Sequence, residues 1–215
     1  MHRVHVSHRL RVWFVIFGIL CLSGLYVSLA EPINKPVYVH ILAVNDLHGQ
    51  LGSGQKLNGS AVGSVPVLGG YLLDAIARYG NNSTLIALPG DMTGASPAES
   101  NLLLDEPTIL FLNSLVTGDW KKSALTDHDG VRVIATLGNH EFDRNASELE
   151  RLIHGGNGDT QIPHLVDPYP GALWPIIAAN VYWKENDTLF CEPYVIEEIG
   201  GIPIAFIGAV TATTA

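Results

Sequence analysis

Cysteine is almost missing from this chain of 215 residues, which has only Cys21 and Cys191, and basic residues are scarce, with 12 Lys and Arg against 21 Asp and Glu. Two cysteines rule out a disulfide-framed scaffold. The formal net charge of -9 argues against a nucleic-acid backbone as the main partner, because phosphate recognition there needs clustered Lys and Arg. Charged residues are few, 15% against 47% apolar, which is the reverse of a disordered chain and suits a globular α/β protein with buried strands. No internal repeat and no linker divides it, and its length suffices to bury a sizeable core.

Charge is also absent from Val12 to Ala30, an apolar run preceded by Arg3, Arg9 and Arg11 and closed by Ser28-Leu29-Ala30 before Glu31-Pro32. A basic start, an apolar stretch and small residues at its end read as a cleaved secretory signal over residues 1–30. The run is about as long as a minimal membrane span, so an uncleaved signal anchor is the alternative. The expected location is secreted or cell-surface, or periplasmic in a bacterium, with membrane attachment only through that anchor or one beyond Ala215. Removal of the signal takes Cys21 with it. Cys191 then either pairs with a cysteine beyond Ala215 or is buried as a small apolar side chain. Five Asn-x-Ser/Thr sequons, at Asn58, Asn81, Asn82, Asn145 and Asn186, lean towards a glycosylated exported protein.

Strand-like apolar runs recur, and three of them end in polar clusters. Val39 to Val44 leads into Asn45-Asp46-Leu47-His48-Gly49, Leu85 to Leu88 into Pro89-Gly90-Asp91, and Val131 to Leu137 into Gly138-Asn139-His140-Glu141-Phe142-Asp143. In an open α/β sheet the carboxyl ends of the strands face the ligand crevice, so these motifs share one rim. The first strand, Pro36 to Val44, is apolar enough to be covered on both faces. Helical spacing runs from Pro66 to Tyr79, one or two helices span Pro97 to Val116 with a break at Asp105-Glu106-Pro107, and Asn145 with Glu148 caps a helix reaching His154. Trp174 to Val181 reads as another strand. Pro193 to Ile199 and Ile202 to Ala209 form a hairpin across Gly200-Gly201. Leu51 to Ser64 and Thr117 to Gly130 read as surface loops.

The rim residues suit a metal site. Asp46 and His48 are two apart, so in an extended segment both side chains point one way. Asp91, from the neighbouring strand, can bridge two ions, and Asn139 adds an amide oxygen. Mixed oxygen and nitrogen donors fit Zn, Mn, Fe or Co. Two such ions about 3.5–4 Å apart polarise a phosphoryl group and activate water. His140 should point away from Asn139 and face the phosphoryl oxygens or protonate the leaving group, with Asp143 orienting its ring. Taken singly, each motif is more often a turn with a solvated side chain; three in order, each after a buried strand, point to a site. His40, His128, His154 and His164 lack such surroundings and read as packing or surface residues.

These motifs, together with Ala179-Asn180-Val181, Gly94-Ala95-Ser96-Pro97 and Asp105-Glu106-Pro107-Thr108, resemble the successive motifs of the calcineurin-like metallophosphoesterases, specifically the secreted 5'-nucleotidase family. The resemblance covers residues 37–212 and implies an α/β/β/α sandwich, with residues 31–215 as the N-terminal portion of the catalytic domain. It implies two divalent ions: Asp46 and His48 on one, Asp91 bridging, Asn139 on the other, with His140 and Asp143 as the catalytic pair. The implied activity is hydrolysis of phosphate esters, nucleoside 5'-phosphates first, by a metal-bound hydroxide. Nucleotide sugars or cyclic nucleotides are alternative substrates, and a non-catalytic exported fragment is the alternative from another class. The family's remaining ligands, a lone His and a Gly-His-x-His motif, and its nucleotide-gripping C-terminal domain have no counterpart in these residues. Three ligands are therefore expected for the first ion and two for the second.

Overall fold

A computed structural model describes residues 36–52, 56–119, 121–122, 124, 131–158 and 162–212. The signal-like segment, His128 and most of the loop from 118 to 130 lie outside the described residues. The chain divides into Met1–Val37, of which only Pro36 and Val37 are described, and the unit Tyr38–Ala215.

Four strands form a parallel sheet in the order β1 (His40–Ala43), β4 (Thr84–Leu88), β5 (Arg132–Thr136), β6 (Ile176–Ile177). The helices between them, α1 (Val65–Tyr79), α3 (Glu106–Thr117) and α4 (Ala146–His154), make the crossovers that a parallel sheet requires. A short hairpin of β2 (Lys56–Leu57) and β3 (Ser60–Ala61) lies in the first connection, and a single helical turn, α2 (Ala98–Asn101), precedes α3. The antiparallel pair β7 (Tyr194–Ile199) and β8 (Ile202–Ile207) turns at Gly200 and Gly201. Both glycines have positive φ, 62° and 80°, the conformation that a two-residue hairpin turn demands.

Two cores result from the period-2 alternation of the strands. Ile86, Leu88, Val133 and Ala135 face Leu72, Ile76, Ile109, Leu112 and Leu152 of the helices. Leu85, Ile134 and Ile177 face the opposite way and pack against Ile199, Val195, Ile204 and Phe206 of the β7–β8 pair. The described residues thus form helix, sheet and sheet layers, with Arg132 of β5 ion-paired to Glu197 of β7 at 3.5 Å. The fold is the α/β sandwich type that the motifs imply.

Three local expectations need correction. β4 is buried on both faces, but β1 is an edge strand: Leu42 packs into the helix-side core while Ile41 is 54% exposed. The strand expected over Trp174 to Val181 pairs with β5 only at Ile176 and Ile177. Pro175 has no N–H to donate, and the N–H groups of Ala178 and Ala179 turn instead to the carbonyls of Glu192 and Gly208. The loop from Leu51 to Ser64 contains the β2–β3 hairpin. Cys191 is a free, half-buried thiol in a third apolar cluster with Leu137, Leu149 and Phe190. Burial pushes its pKa up to about 11, so it is an unreactive thiol.

Candidate metal centre

The strand ends deliver their polar residues through distorted backbone. Asp46, His48 and Asp91 all have positive φ, 54°, 47° and 56°. Left-handed backbone costs a non-glycine residue roughly 1–2 kcal/mol, less for Asp, and such outliers persist only where surrounding bonds enforce them. Here the enforcing bonds are visible. The N–H groups of Asp46, His48 and Gly49 donate to the carbonyls of Gly90, Asp91 and Met92, which carries the β1–β4 pairing past the strand ends into both loops.

The consequence is a cluster in which ligand atoms of Asp46, His48 and Asp91 all lie within 4.8 Å of one another. Nε2 of His48 is 3.7 Å from Oδ1 of Asp46. Ligands bound to one ion at about 2.0–2.2 Å stand roughly 3–4 Å apart, so one divalent cation fits this donor set. His48 directs Nδ1 at the carbonyl of Gly94, 3.0 Å away. That bond fixes the tautomer with hydrogen on Nδ1 and leaves Nε2 free as a ligand, the arrangement typical of metal-binding histidines. The expectation that Asp46 and His48 share a side is met, but not through an extended segment: the left-handed turn at both residues brings them together.

The third strand end folds into a 3-10 turn, His140–Phe142, with Asn139 at its start. Alternation in an extended chain is therefore not what separates Asn139 from His140. Asn139 is solvent-exposed and lies between two bonded backbone groups: the Gly138 N–H donates to Glu141 within the turn, and the His140 N–H donates to Oδ1 of Asp91 at 2.9 Å. The His140 ring stands edge-on to that of His48, centroids 4.9 Å apart. Nδ1 of His140 meets the Asp143 carboxylate at 2.9 and 3.1 Å, and the Ala95 N–H holds the same carboxylate at 2.8 Å. The bond to Asp143 raises the His140 pKa above its ordinary value, against some desolvation, and nearby Asp91 and Glu141 add to the rise. Burial pushes Asp143 upward, but the bonds from His140 and Ala95 outweigh it and leave its pKa lowered.

Gly94 makes this approach possible. With φ at 80°, it lies so close to the turn that a Cβ would sit 2.0 Å from the carbonyl oxygen of His140. Beside the pair opens a cavity of about 320 Å³, lined by Thr93, Ser96, Asn101, Asp105, Arg144 and Glu148 among others. Arg144 is held there by Nη2 donating to the Asn101 carbonyl at 2.8 Å and to its side-chain oxygen.

One residue of the motif received no role from sequence reasoning. Glu141 accepts backbone N–H groups from Asp91 (3.0 Å), Met92 (2.7 Å), Thr93 (3.3 Å) and Gly138 (2.6 Å). No pattern of side chains signals this, because every partner is main chain. Asn180 is likewise structural: its amide exchanges two hydrogen bonds with the backbone of Val210. Of the histidines set aside, His40 stacks on Tyr79, whereas His164 is buried against Glu106 at 2.7 Å.

No family model matches the chain. It is 33% identical over 189 residues to Endonuclease YhcR of Bacillus subtilis, an alignment spanning 85% of this chain and 14% of that protein. Identity is 35% over 178 residues to an uncharacterized protein in the pqq-V 5' region of Acinetobacter calcoaceticus, spanning 76% of this chain and 80% of that one. Identity to a 5'-nucleotidase of Vibrio cholerae is 28% over 182 residues, 85% of this chain and 27% of that protein. The chain therefore covers only a minor part of the first and third of these relatives. Among solved structures, the NAD nucleotidase of Haemophilus influenzae superposes with a TM-score of 0.55 at 24% identity, over 81% of this chain and 26% of that one. A 5'-nucleotidase precursor from Thermus thermophilus gives 0.52 at 22% identity, over 82% and 29%. The calcineurin-like phosphoesterase YfkN of Bacillus subtilis gives 0.50 at 22% identity, over 82% and 49%. These superpositions show the shared fold, and with the sequence relatives they lead to one conclusion: the chain belongs to the 5'-nucleotidase family of calcineurin-like metallophosphoesterases.

Proposed function

We propose that the chain carries the metal-binding and proton-transfer residues of a metal-dependent phosphohydrolase acting on nucleoside 5'-phosphates. The observation that carries this reading is the juxtaposition of the Asp46–His48–Asp91 cluster with the His140–Asp143 pair at one end of the parallel sheet. Asp46, His48 and Asp91 would hold one divalent ion, and Asp91 with Asn139 a second, of Zn, Mn, Fe or Co. When bound, the ions supply positive charge for the phosphoryl oxygens and lower the pKa of an attacking water.

The remaining chemistry belongs to the chain. Water adds to phosphorus, the ester P–O bond breaks, and the departing nucleoside oxygen needs a proton. We assign that proton to His140. Asp143 occupies Nδ1, so Nε2 is the nitrogen that faces a substrate. Asp143, itself held by the Ala95 N–H, fixes the ring's orientation.

Phosphodiesters form the second substrate class, favoured by the relative named an endonuclease; the acidic chain makes small nucleotides, rather than polymers, the preferred form. Export is proposed from residues 1–30, and among the described residues no helix is long and apolar enough to cross a membrane. The deciding experiment strips the full chain with a chelator, restores Mn, Co, Zn or Fe one at a time, and measures phosphate release from nucleoside 5'-phosphates beside cyclic nucleotides. Activity should vanish with the metal and return with it, and D91N should lose both metal binding and turnover. Turnover indifferent to chelation would overturn the reading.

A further inference from the structure

We infer that Glu141 is a positioning residue, a latch that sets the bridging carboxylate of Asp91 against the turn bearing Asn139 and His140. This rests on the metal-dependent reading above. The two loops come from β4 and β5, and some fifty residues of chain separate Asp91 from Glu141. The two carboxylate oxygens divide the work. Oε2 accepts from Asp91 and Gly138, one donor from each loop, at 3.0 and 2.6 Å. Oε1 accepts from Met92 and Thr93 at 2.7 and 3.3 Å, following the β4 loop onward.

Close packing makes the latch specific. Gly90 and Gly138 abut: a Cβ on Gly138 would lie 2.2 Å from Oδ1 of Asp91, and one on Gly90 would lie 2.7 Å from the Gly138 nitrogen. Only main chain fits at that contact, so the loops are held in register by side chains that reach across beside it, Glu141 from one and Asp91 from the other. Three consecutive N–H groups, 91 to 93, converge because Asp91 takes the left-handed conformation, as in the backbone nests that receive anions. In this protein the anion is Glu141. The same conformation aims the Asp91 side chain, whose Oδ1 takes the His140 N–H, so the latch, Asp91 and the catalytic turn are mechanically one unit.

E141Q tests the inference. An amide keeps one accepting oxygen and sets an NH₂ against two N–H donors, so either flip breaks two of the four bonds. Three readouts are needed on the full chain: Mn²⁺ affinity by calorimetry, circular dichroism of the metal-free protein, and hydrogen exchange at residues 91, 92, 93 and 138. The expected result is a roughly 10–100-fold loss of Mn²⁺ affinity, the scale seen when groups supporting metal ligands are removed, together with faster exchange at those four amides. E141D, which keeps the charge but draws both oxygens back by a methylene, should lose affinity too. Wild-type Mn²⁺ affinity in either variant would overturn the latch. If both variants fail to fold, exchange in the metal-free wild type decides: protected amides at 91–93 and 138 support the latch, and exposed-rate exchange refutes it. If wild type binds no Mn²⁺, the metal reading fails, and the same exchange data separately decide whether Glu141 ties the loops.

Discussion

Arg151→Met should be among the most destabilising single changes in this protein that leave the candidate metal residues untouched. Glu106 is 1% exposed and the Arg151 side chain 8%. Nη1 of Arg151 reaches Oε1 of Glu106 at 2.6 Å and the Gly156 carbonyl at 3.0 Å, while Nε and Nη2 hold Glu148. The guanidinium also lies 5.0 Å above the Tyr169 ring. Oε2 of Glu106 is buried without a hydrogen-bond partner, so stabilisation of that carboxylate falls on Oε1. Removing one member of a buried ion pair costs about 3–5 kcal/mol, chiefly by leaving the other charge uncompensated. His164 stays on Oε1 at 2.7 Å, which places the expected loss at the low end, about 3 kcal/mol. For a chain of this size that lowers Tm by roughly 6–12 °C.

The assay is urea unfolding of wild type, R151M, E106Q and the double variant E106Q/R151M. If the penalty is an uncompensated charge, neutralising Glu106 in the R151M background should recover part of it. Recovery should be incomplete, because the bonds to Glu148 and Gly156 stay lost, at about 1 kcal/mol each. The double-mutant cycle should then show coupling of about 1 kcal/mol or more. A loss below about 1 kcal/mol in R151M, or a double variant no more stable than R151M, would refute this account and leave Arg151 a packing residue.

Two further outcomes concern the His140–Phe142 turn. In metal-free protein the raised pKa of His140 means that its contribution to stability is complete below the ordinary value of 6.5 and fades as pH rises through the folded value. Asp143, with a lowered pKa, contributes above its ordinary 3.8 and loses that contribution as pH falls through its folded value. D143N should therefore cost most stability between these two ordinary values and less at alkaline pH, and an NMR titration should show the His140 pKa returning towards 6.5; an unmoved His140 pKa would count against the pair. Gly94→Ala should destabilise by roughly 2–5 kcal/mol, combining a positive φ with a Cβ 2.0 Å from the His140 carbonyl. Unfolding free energies from urea titration within about 1 kcal/mol of wild type would mean that the turn moves freely away from Gly94.

What could be read in the sequence was whatever its side chains spell out. The continuous apolar run of β4, buried on both faces, the N-cap bond from the Glu148 N–H to Asn145 Oδ1 at 2.8 Å, and the Gly200-Gly201 turn follow local rules that can be read from the residues themselves. The three residues of the candidate cluster, Asp46, His48 and Asp91, could be picked out for the same reason, since carboxylates and imidazoles after apolar runs announce themselves. Its geometry was not. Asp46 and His48 meet through left-handed backbone that is enforced by carbonyls of residues 90 to 92, and no spacing within Asp-x-His contains that information. β1 proved an edge and β6 a two-residue strand because neighbours, rather than hydropathy, decide which N–H groups find partners. Glu141 shows the limit most sharply. A glutamate in a polar motif looks like a solvated or catalytic acid, yet its carboxylate faces four main-chain donors, and burial pushes its pKa above the ordinary value despite them. Evidence for such a residue lies in backbone convergence, so motif reading finds candidate ligands more readily than a group bonded only to main chain.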